Sequence, residues 1–394
     1  MNAPMQKNAM DAGTVIGAAI IASAIGALFY NVLPIYMGTA QDYRGLDNRE
    51  IGFLSSAFFF GYNVVTISAF FWIRRLSWAL IVAVSTPIAA LSLYAGTLFD
   101  SYVSLLVSVA VSGGAFAAIY GVGTTILGDT SNPARWFGVK IAAEAMLGAL
   151  LLLVLPVTAI ARWGFNGTII GVIIAMVFLA PFLFWLPARG SKGWEDDLPQ
   201  SSTNEQSQSP YIWGALAATL VFFSGASAIW AFIERIGAQR GFEPGALGVL
   251  LSITLVFALT GSLLAAALGG RFGNVKPFVA GAALSLVALL LLNSSQSFAV
   301  YAAGACLQTF VIGLLLPFAI TEVADLDVDG RYIVLTVPAI GIGAMAGPGI
   351  AGVLSQSGDF GSLLGFVGTT VVVSAVLIAV SATKARPAPA PVRI

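Results

Sequence analysis

Long apolar runs fill most of this chain, and short polar segments separate them. A helix needs about 20 apolar residues to cross about 30 Å of hydrocarbon, and twelve windows of the sequence reach that length. They lie near residues 13–37, 50–73, 78–99, 102–128, 136–161, 166–186, 211–235, 246–270, 277–293, 297–323, 332–355 and 360–382. Because backbone that faces lipid must satisfy its own hydrogen bonds, each window predicts a helix. The expected fold class is an all-α membrane protein with 12 transmembrane helices.

One polar segment interrupts this pattern near the middle of the chain. Residues 187–210 read PARGSKGWEDDLPQSSTNEQSQSP and contain six charged residues among many Ser and Gln. A segment of this composition buries too little apolar surface to order itself. It predicts a cytoplasmic linker between an N-terminal six-helix bundle, residues 1–186, and a C-terminal six-helix bundle, residues 211–394.

The two apolar halves carry matching landmarks at a constant offset of 196 positions. The charged residues that coincide are Arg44 with Arg240, Arg75 with Arg271, and Asp129 with Asp325. Matched charges are informative here because only 9% of the residues are charged. The offset holds without a gap from about residue 44 to residue 136, which indicates an internal duplication.

The distribution of Lys and Arg predicts the orientation of the helices. If the N-terminus is cytoplasmic, the cytoplasmic side holds twelve Lys and Arg and the opposite side holds five. Such an excess is typical of the cytoplasmic side. With six spans in each half, the two halves share one orientation, so the repeat is parallel. We therefore expect a multi-pass protein of a bacterial inner membrane with both termini in the cytoplasm.

The composition excludes several classes of function. Charged residues make up 9% of the chain, against about 25% in soluble domains, and the mean hydropathy is +0.92. The formal net charge is zero, so nothing suggests nucleic acid. One cysteine and no histidine leave no disulfide, no His-ligated metal site and no Ser-His-Asp triad. Without a Gly-rich phosphate loop, we expect no enzyme and no cofactor, and proton chemistry falls to carboxylates.

Two parallel six-helix halves joined by a polar cytoplasmic loop resemble the major facilitator superfamily of secondary transporters. The loop signature of that family, after the second and eighth helices, reads G-x-L-x-D-R-x-G-R-R-K. In the second half, the residues that match it are Leu268, Arg271, Gly273 and Lys276, with Gly270 in place of the acid. In the first half, Arg74 and Arg75 remain and the acid is again missing.

A second signature of the family, G-x-x-x-G-P-x-x-x-G, is found on the predicted eleventh helix. Its residues here are Gly343, Gly347, Pro348 and Gly352. In proton-coupled drug antiporters of the family, the comparable run lies on the fifth helix. The fifth helix of this chain, AEAMLGALLLLVLP, lacks it, which favours import over efflux.

The resemblance also implies which helices line the solute pathway. Helices one, four, seven and ten would line a central cavity, helices two, five, eight and eleven would flank it, and the others would face lipid. The loop residues Arg74, Arg75, Arg271 and Gly273 would then contribute to gating. Glu322, at the inner end of the tenth helix, is expected to anchor a loop at the cytoplasmic mouth.

Lys140 and Glu144 are the most informative ionisable residues in the predicted spans. They lie four positions apart, so they share one face of the fifth helix. Ionisable groups at membrane depth are costly and mark pathways by default. One interpretation is a cavity-facing pair in which Glu144 takes and releases a proton and Lys140 attracts an anionic solute. The other is a self-neutralised structural pair.

Glu234 is a second candidate for proton coupling. It follows Trp230 by one turn in the run SGASAIWAFIERIG. The two residues could form an aromatic wall with an acid that binds a proton or a cation. Alternatively, Glu234 and Arg235 mark a solvated helix end whose side chains reach the interface.

Uncharged polar side chains inside the spans complete the candidate substrate site. Each is costly to leave unpaired in hydrocarbon, and each could equally join two helices, a contact worth about 0.6 kcal/mol. These candidates are Tyr30 and Asn31 on the first helix, Asn63 on the second, Tyr120 and Thr124 on the fourth, and Gln308 on the tenth.

The function that these observations predict is secondary active transport of a small organic solute by alternating access, coupled to protons in symport. The alternatives are a proton-coupled efflux antiporter for amphipathic compounds, a passive facilitator, and a membrane receptor of the same fold that does not transport. We expect a small-molecule substrate, protons and the lipid bilayer as partners, no nucleic acid, and a monomer.

Overall fold

A computed structural model of the chain describes residues 9–189, 211–294, 297–327 and 332–385. The predicted linker, residues 187–210, lies outside these ranges from residue 190 onward, so its conformation stays a prediction. The α-helices are α1 (Gly13–Arg44), α2 (Asn48–Trp72), α3 (Trp78–Leu98), α4 (Tyr102–Gly128), α5 (Pro133–Val154), α6 (Ala161–Leu179), α7 (Ile212–Gln239), α8 (Pro244–Leu268), α9 (Val275–Ser294), α10 (Phe298–Leu326), α11 (Thr336–Leu354) and α12 (Gly361–Ala385). The described ranges contain no strand.

The predicted all-α membrane class is confirmed. The number of helical segments long enough to cross a membrane differs from the twelve predicted spans. Eleven helical segments of the described ranges are long and apolar enough to cross a membrane. One of these segments, Arg135–Trp185, has 51 residues and contains most of the predicted fifth and sixth spans, with a non-helical residue, Gly164, between them. A π-helical turn at Pro156–Ile160 joins α5 to α6 in this run.

The chain reverses its direction inside that run. Gly164 has φ 52° and ψ −130°, a conformation that a residue with a Cβ rarely adopts. Past the reversal, Gly167 lies against the carbonyl oxygen of Ala159, and Gly171 lies against the side chain of Leu155. The contacting residues lie progressively farther from Gly164 along the chain on both sides, so the two arms form an antiparallel hairpin.

Residue contacts divide the chain into two compact units. Unit 1 comprises Met1–Leu198 and Glu243–Leu255, and unit 2 comprises Pro199–Phe242 and Val256–Ile394. Unit 1 therefore contains α1 to α6 together with the first half of α8, and unit 2 contains the remaining helices. The domain boundaries at residues 186 and 211 stay a prediction.

Unit 1 is built around α1 and α4, whose small residues allow close approach. A methyl group on Gly26 would lie 2.6 Å from Tyr120 Cβ, and one on Gly123 would lie 2.6 Å from the carbonyl oxygen of Ala19. Such small residues let membrane helices pack backbone to backbone. This packing brings the middle of α4, which carries Tyr120, close to the other helices of the unit.

Unit 2 is built around α7, on which α11 packs through the glycines of the second signature. Gly343 lies against the carbonyl oxygen of Leu220, and Gly347 lies against that of Ser224. Ser227 also donates a hydrogen bond to the carbonyl oxygen of Gly343, at 3.4 Å. In this chain the glycine signature therefore serves close packing between α7 and α11.

Candidate functional site

The Lys140–Glu144 pair lies near the middle of α5. The side chain of Asn132 accepts a hydrogen bond from the backbone nitrogen of Arg135 at 3.3 Å, and Pro133 occupies the first turn, so the helix begins there. α5 thus begins three residues before the predicted window at 136. Glu144 is the twelfth residue of this 22-residue helix, about 17 Å along its axis at 1.5 Å per residue.

Lys140 is held by two partners in the interior of unit 1. Its Nζ lies 2.9 Å from Oε1 of Glu144 and donates a hydrogen bond to the hydroxyl of Tyr120 at 2.7 Å. Nζ also lies 3.9 Å from the centroid of the Tyr120 ring, within reach of a cation–π contact. The lysine is only 3% exposed, so these contacts replace the hydration of its ammonium group.

Glu144 is less completely satisfied than its partner. Its side chain is 12% exposed. Although Nζ is close, Oε1 is buried and accepts no well-aligned hydrogen bond in the part of the chain that the structure describes. A buried acceptor in that condition forfeits the stabilisation that an aligned hydrogen bond provides. The described partner of the carboxylate is thus the single ammonium of Lys140, and a proton taken up by Glu144 would compete with that contact.

Asn31, a predicted substrate contact, has a structural partner on α5. Its Nδ2 donates a hydrogen bond to the backbone carbonyl oxygen of Glu144 at 3.0 Å. The side chain fits because Gly148 lacks a Cβ: a methyl group there would lie 2.6 Å from Asn31 Cβ. Asn31 thus links α1 to α5 at the position of the acid and positions that turn of the helix.

Aromatic rings and one buried hydroxyl are the other features of the predicted site in unit 1. The Tyr62 ring lies 6.2 Å from the Tyr120 ring, and the Tyr30 ring lies 5.8 Å from that of Phe59. Thr124, one turn after Tyr120, has a buried hydroxyl without a hydrogen-bond partner in the described ranges. Asn63 is buried on α2 beside Tyr62 in the chain. The predicted residues of unit 1 thus lie on α1, α2, α4 and α5, and Tyr120, Lys140 and Glu144 are in direct contact.

The ion pair of unit 2 has a different construction. Arg235 donates two hydrogen bonds to Glu234, from Nε to Oε2 at 2.6 Å and from Nη2 to Oε1 at 3.0 Å. Both residues are 7% exposed, so the structure does not place them at a solvated helix end. Trp230 is buried one turn earlier on α7. The pair is bidentate, a geometry that gives specificity as well as energy.

Gln308 also has a partner inside unit 2. Its Oε1 accepts a hydrogen bond from the hydroxyl of Ser285 on α9 at 2.9 Å, and both residues are buried. The side-chain oxygen therefore joins α9 to α10. The role of Gln308 in substrate binding stays a prediction.

An ion pair ties the loop after α2 to the end of α4. Arg74 donates to both carboxylate oxygens of Asp129, at 2.5 and 2.9 Å. The guanidinium also lies 5.6 Å from the ring of Trp78. The loop signature lacks its acid, and Asp129 supplies one from the neighbouring helix. Sequence reasoning missed this role, although Asp129 was already marked by its coincidence with Asp325 in the repeat.

The corresponding place in unit 2 uses an amide instead of a guanidinium. Asn274 donates from Nδ2 to Glu322 at 2.8 Å and to Asp325 at 2.9 Å. Gly273, with φ 65°, makes the turn that leads into Asn274 and α9. Glu322 is 1% exposed and holds this loop, while Arg75 and Arg271 are exposed. The loop signature did not indicate that Asn274 joins this loop to α10.

The long apolar helices and the buried polar cluster of unit 1 define an integral, multi-pass membrane protein with a transporter fold. Residues 215–393 match the model of the Major Facilitator Superfamily. The sequence of the C-terminal half therefore matches the superfamily that the chain resembles. No curated protein matches the chain.

Three solved transporters illustrate the shared fold. A bacterial homologue of the human lysosomal transporter Spinster is 14% identical with a TM-score of 0.75, over 95% of this chain and 98% of that one. A D-xylose-proton symporter is 12% identical with a TM-score of 0.76, over 93% and 96%. The nucleoside transporter NupG is 14% identical with a TM-score of 0.70, over 93% and 98%. The TM-scores show a common fold. Sequence identities this low do not identify the solute.

Proposed function

We propose that this protein is a secondary active transporter that takes up a small organic solute together with protons by alternating access. The observation that carries the proposal is the Lys140–Glu144–Tyr120 contact at the middle of α5. Ionisable groups at this depth cost free energy, and for that reason they usually mark a transport pathway. The similarity to a D-xylose-proton symporter and to a nucleoside transporter supports small solutes and proton coupling.

The proposed topology has twelve spans in two parallel six-helix bundles. The 51-residue run Arg135–Trp185 would be about 77 Å long as a straight helix, far more than one bilayer. Its reversal at Gly164 supports counting α5 and α6 as separate spans. The excess of Lys and Arg on one side supports placing both termini in the cytoplasm, and the proposal further takes the protein to be a monomer in a bacterial inner membrane.

In the proposed mechanism, Glu144 accepts the coupling proton on its carboxylate. Protonation weakens its attraction for Lys140 and frees the ammonium for the solute. Return to the ion pair then favours release of the solute and the proton. Tyr30, Asn63, Thr124, Trp230 and Gln308 are proposed to contact the solute, and Glu234 to be a secondary proton group.

The test begins with the identity of the solute. Purified protein is screened by thermal shift against sugars, nucleosides, amino acids and organic acids at two pH values, since a ligand of the folded state raises its apparent stability. The best ligand is then used for uptake into proteoliposomes driven by a pH gradient. Glu144→Gln should abolish uphill accumulation and leave counterflow exchange intact.

The matched control is Glu243→Gln, which makes the same chemical change at an exposed acid outside the helices. It should accumulate the ligand as the unmodified protein does. If Glu144→Gln accumulates the ligand normally under the same pH gradient, Glu144 is not the coupling group.

A further inference from the structure

The charge of the Lys140–Glu144 pair constrains what can bind beside it. With both groups ionised the pair is neutral, and both side chains are largely buried, at 4% and 12% exposure. When Glu144 takes up a proton, as the proposed function requires, Lys140 retains a buried positive charge without its counter-charge. Because an uncompensated buried charge costs several kcal/mol, the protonated state needs an anion at Nζ.

No other side chain of unit 1 supplies that anion at this depth in the described ranges. On the helices packed against α5, the ionised groups lie at the ends. These are Asp42 and Arg44 in the last turn of α1, Asp129 after α4, where it pairs with Arg74, and Arg135 in the first turn of α5. The half of α8 in unit 1, Glu243–Leu255, carries no charge after its first residue.

The titratable groups that face the pair from other helices are phenols. Tyr120 on α4 contacts Lys140, and the ring of Tyr62 on α2 lies 6.2 Å from that of Tyr120. A phenol, whose ordinary pKa is about 10, stays neutral at physiological pH. Neither tyrosine can replace the lost carboxylate, so no described side chain of unit 1 supplies the balancing anion.

The contacts around Nζ also suit a particular anion. Nζ donates to the Tyr120 hydroxyl, which leaves that hydroxyl its own proton to donate. The ammonium and the phenol, 2.7 Å apart, therefore offer two donors to the two oxygens of one carboxylate. The Tyr62 and Tyr120 rings, 6.2 Å apart, offer apolar surface beside these donors.

We propose that the solute is a small organic monocarboxylate, bound by Lys140 and Tyr120 when Glu144 is protonated and carried with one proton. This inference rests on the proposed function and adds the chemical class of the solute and the charge balance. One proton and one monoanion together carry no net charge. Transport should therefore respond to a pH gradient and be indifferent to the membrane potential.

Binding to the purified full-length protein tests the chemical class. The probes are lactate, benzoate and nicotinate, each compared with its neutral amide, at about pH 5 and about pH 8, on either side of the range in which a buried carboxyl titrates. At least one carboxylate should bind at the lower pH, its affinity falling by up to about tenfold per pH unit as the proton is lost. If none of the acids binds, or if acid and amide bind equally, the inference is wrong.

Three variants separate this role from a structural one. Glu144→Gln should bind the carboxylate with an affinity that no longer depends on pH. Tyr120→Phe keeps the ring and removes one donor, so binding should weaken by about tenfold. The double variant Lys140→Met with Glu144→Gln removes both charges together and should fold but not bind. Carboxylate binding that persists in the double variant contradicts the assignment.

Uptake into proteoliposomes separates failure of this inference from failure of the proposed function. The arms are the bound carboxylate, D-xylose and uridine, with a pH gradient alone or with a membrane potential set by potassium and valinomycin. The carboxylate should accumulate with the pH gradient and be unaffected by the potential. Proton-driven accumulation of xylose or uridine instead would overturn the carboxylate class and retain proton-coupled transport, whereas no driven uptake in any arm would overturn both.

Discussion

Each unit of this protein buries one acid–base pair in a membrane-spanning helix, and the two pairs differ in how completely they are satisfied. In unit 2, Arg235 donates to both carboxylate oxygens of Glu234. In unit 1, Lys140 meets Glu144 through a single oxygen that accepts no aligned hydrogen bond, and it shares its ammonium with Tyr120. Both pairs are neutral overall, but Lys140 and Glu144 can exchange partners more easily than Arg235 and Glu234 can.

The difference follows from the chemistry of the two cations. A guanidinium presents a rigid planar fork that matches both oxygens of a carboxylate, whereas an ammonium is a compact charge on a flexible stem. A pair joined by two parallel hydrogen bonds resists protonation and exchange. A pair joined through one oxygen can release its cation more readily when a proton arrives. We infer that unit 1 carries the main switch and that Glu234, the secondary proton group, exchanges its proton less readily.

The largest expected effect comes from removing each cation. Arg235→Met breaks a fully bidentate buried pair and should lower the free energy of unfolding by about 3–5 kcal/mol. Lys140→Met leaves the Glu144 carboxylate without its counter-charge, but this side chain is 12% exposed and can take up a proton, so the cost should be smaller, at about 1–3 kcal/mol. Thermal unfolding of the purified variants in detergent measures both. Equal losses would remove the distinction between the two pairs.

A methyl group added at Gly148 should have the next largest effect. In Gly148→Ala, the new Cβ lies 2.6 Å from Asn31 Cβ, so Asn31 must move from the carbonyl of Glu144 at a cost of about 1–3 kcal/mol. The control is Gly138→Ala on the same helix, where the new Cβ meets nothing within 4 Å. That change should be neutral or stabilising by up to about 1 kcal/mol. Two variants of the same stability would show that the Asn31 contact does not position α5.

Neutralising the two acids tests the comparison through transport. With one coupled proton, a pH gradient of one unit should support about tenfold accumulation, or about 1.4 kcal/mol, and Glu144→Gln should lose all of it. Glu234→Gln should retain most of the accumulation and lower the thermal stability instead. Uptake and unfolding are measured on the same preparations. The reverse pattern would assign proton coupling to unit 2.

The smallest expected effect concerns Thr124. Thr124→Val replaces a buried hydroxyl without a partner in the described ranges by a methyl group of similar size. Stability should stay the same or rise by up to about 1 kcal/mol, because no hydrogen bond is lost. A simultaneous loss of ligand affinity would show that the hydroxyl serves the solute. A clear loss of stability would mean that the hydroxyl has a structural partner after all.

Hydropathy predicted the helices closely where polar residues mark their ends. The window 102–128 coincides with α4, Tyr102–Gly128. The window 13–37 ends before α1, which continues to Arg44, because a helix that leaves the hydrocarbon keeps its backbone hydrogen bonds in water. Hydropathy also separated the fifth span from the sixth at residues 162–165, where Gly164 leaves the helical conformation.

The candidate site was only partly predictable for a related reason. Spacing of four residues placed Lys140 and Glu144 on one face of a helix, which is a local property. The partnership with Tyr120 depends on how closely α4 approaches, and the fit of Asn31 depends on Gly148 standing opposite it. Such contacts between helices have no signature in a single sequence, so the sequence left open whether Asn31 contacts the solute or joins two helices, and it gave no role for Asp129.

The reversal at Gly164 has a consequence for how the protein is made. Between α5 and α6 the turn offers the biosynthetic machinery little more than Arg162 and Asn166 as polar signals, and a single arginine on the outer side opposes the usual preference for cations inside. The hairpin closes on itself through Gly167 and Gly171, so its two arms can shield each other's backbone while they leave the ribosome. We therefore expect α5 and α6 to enter the bilayer as one unit, with the position of Lys140 and Glu144 settled at that moment.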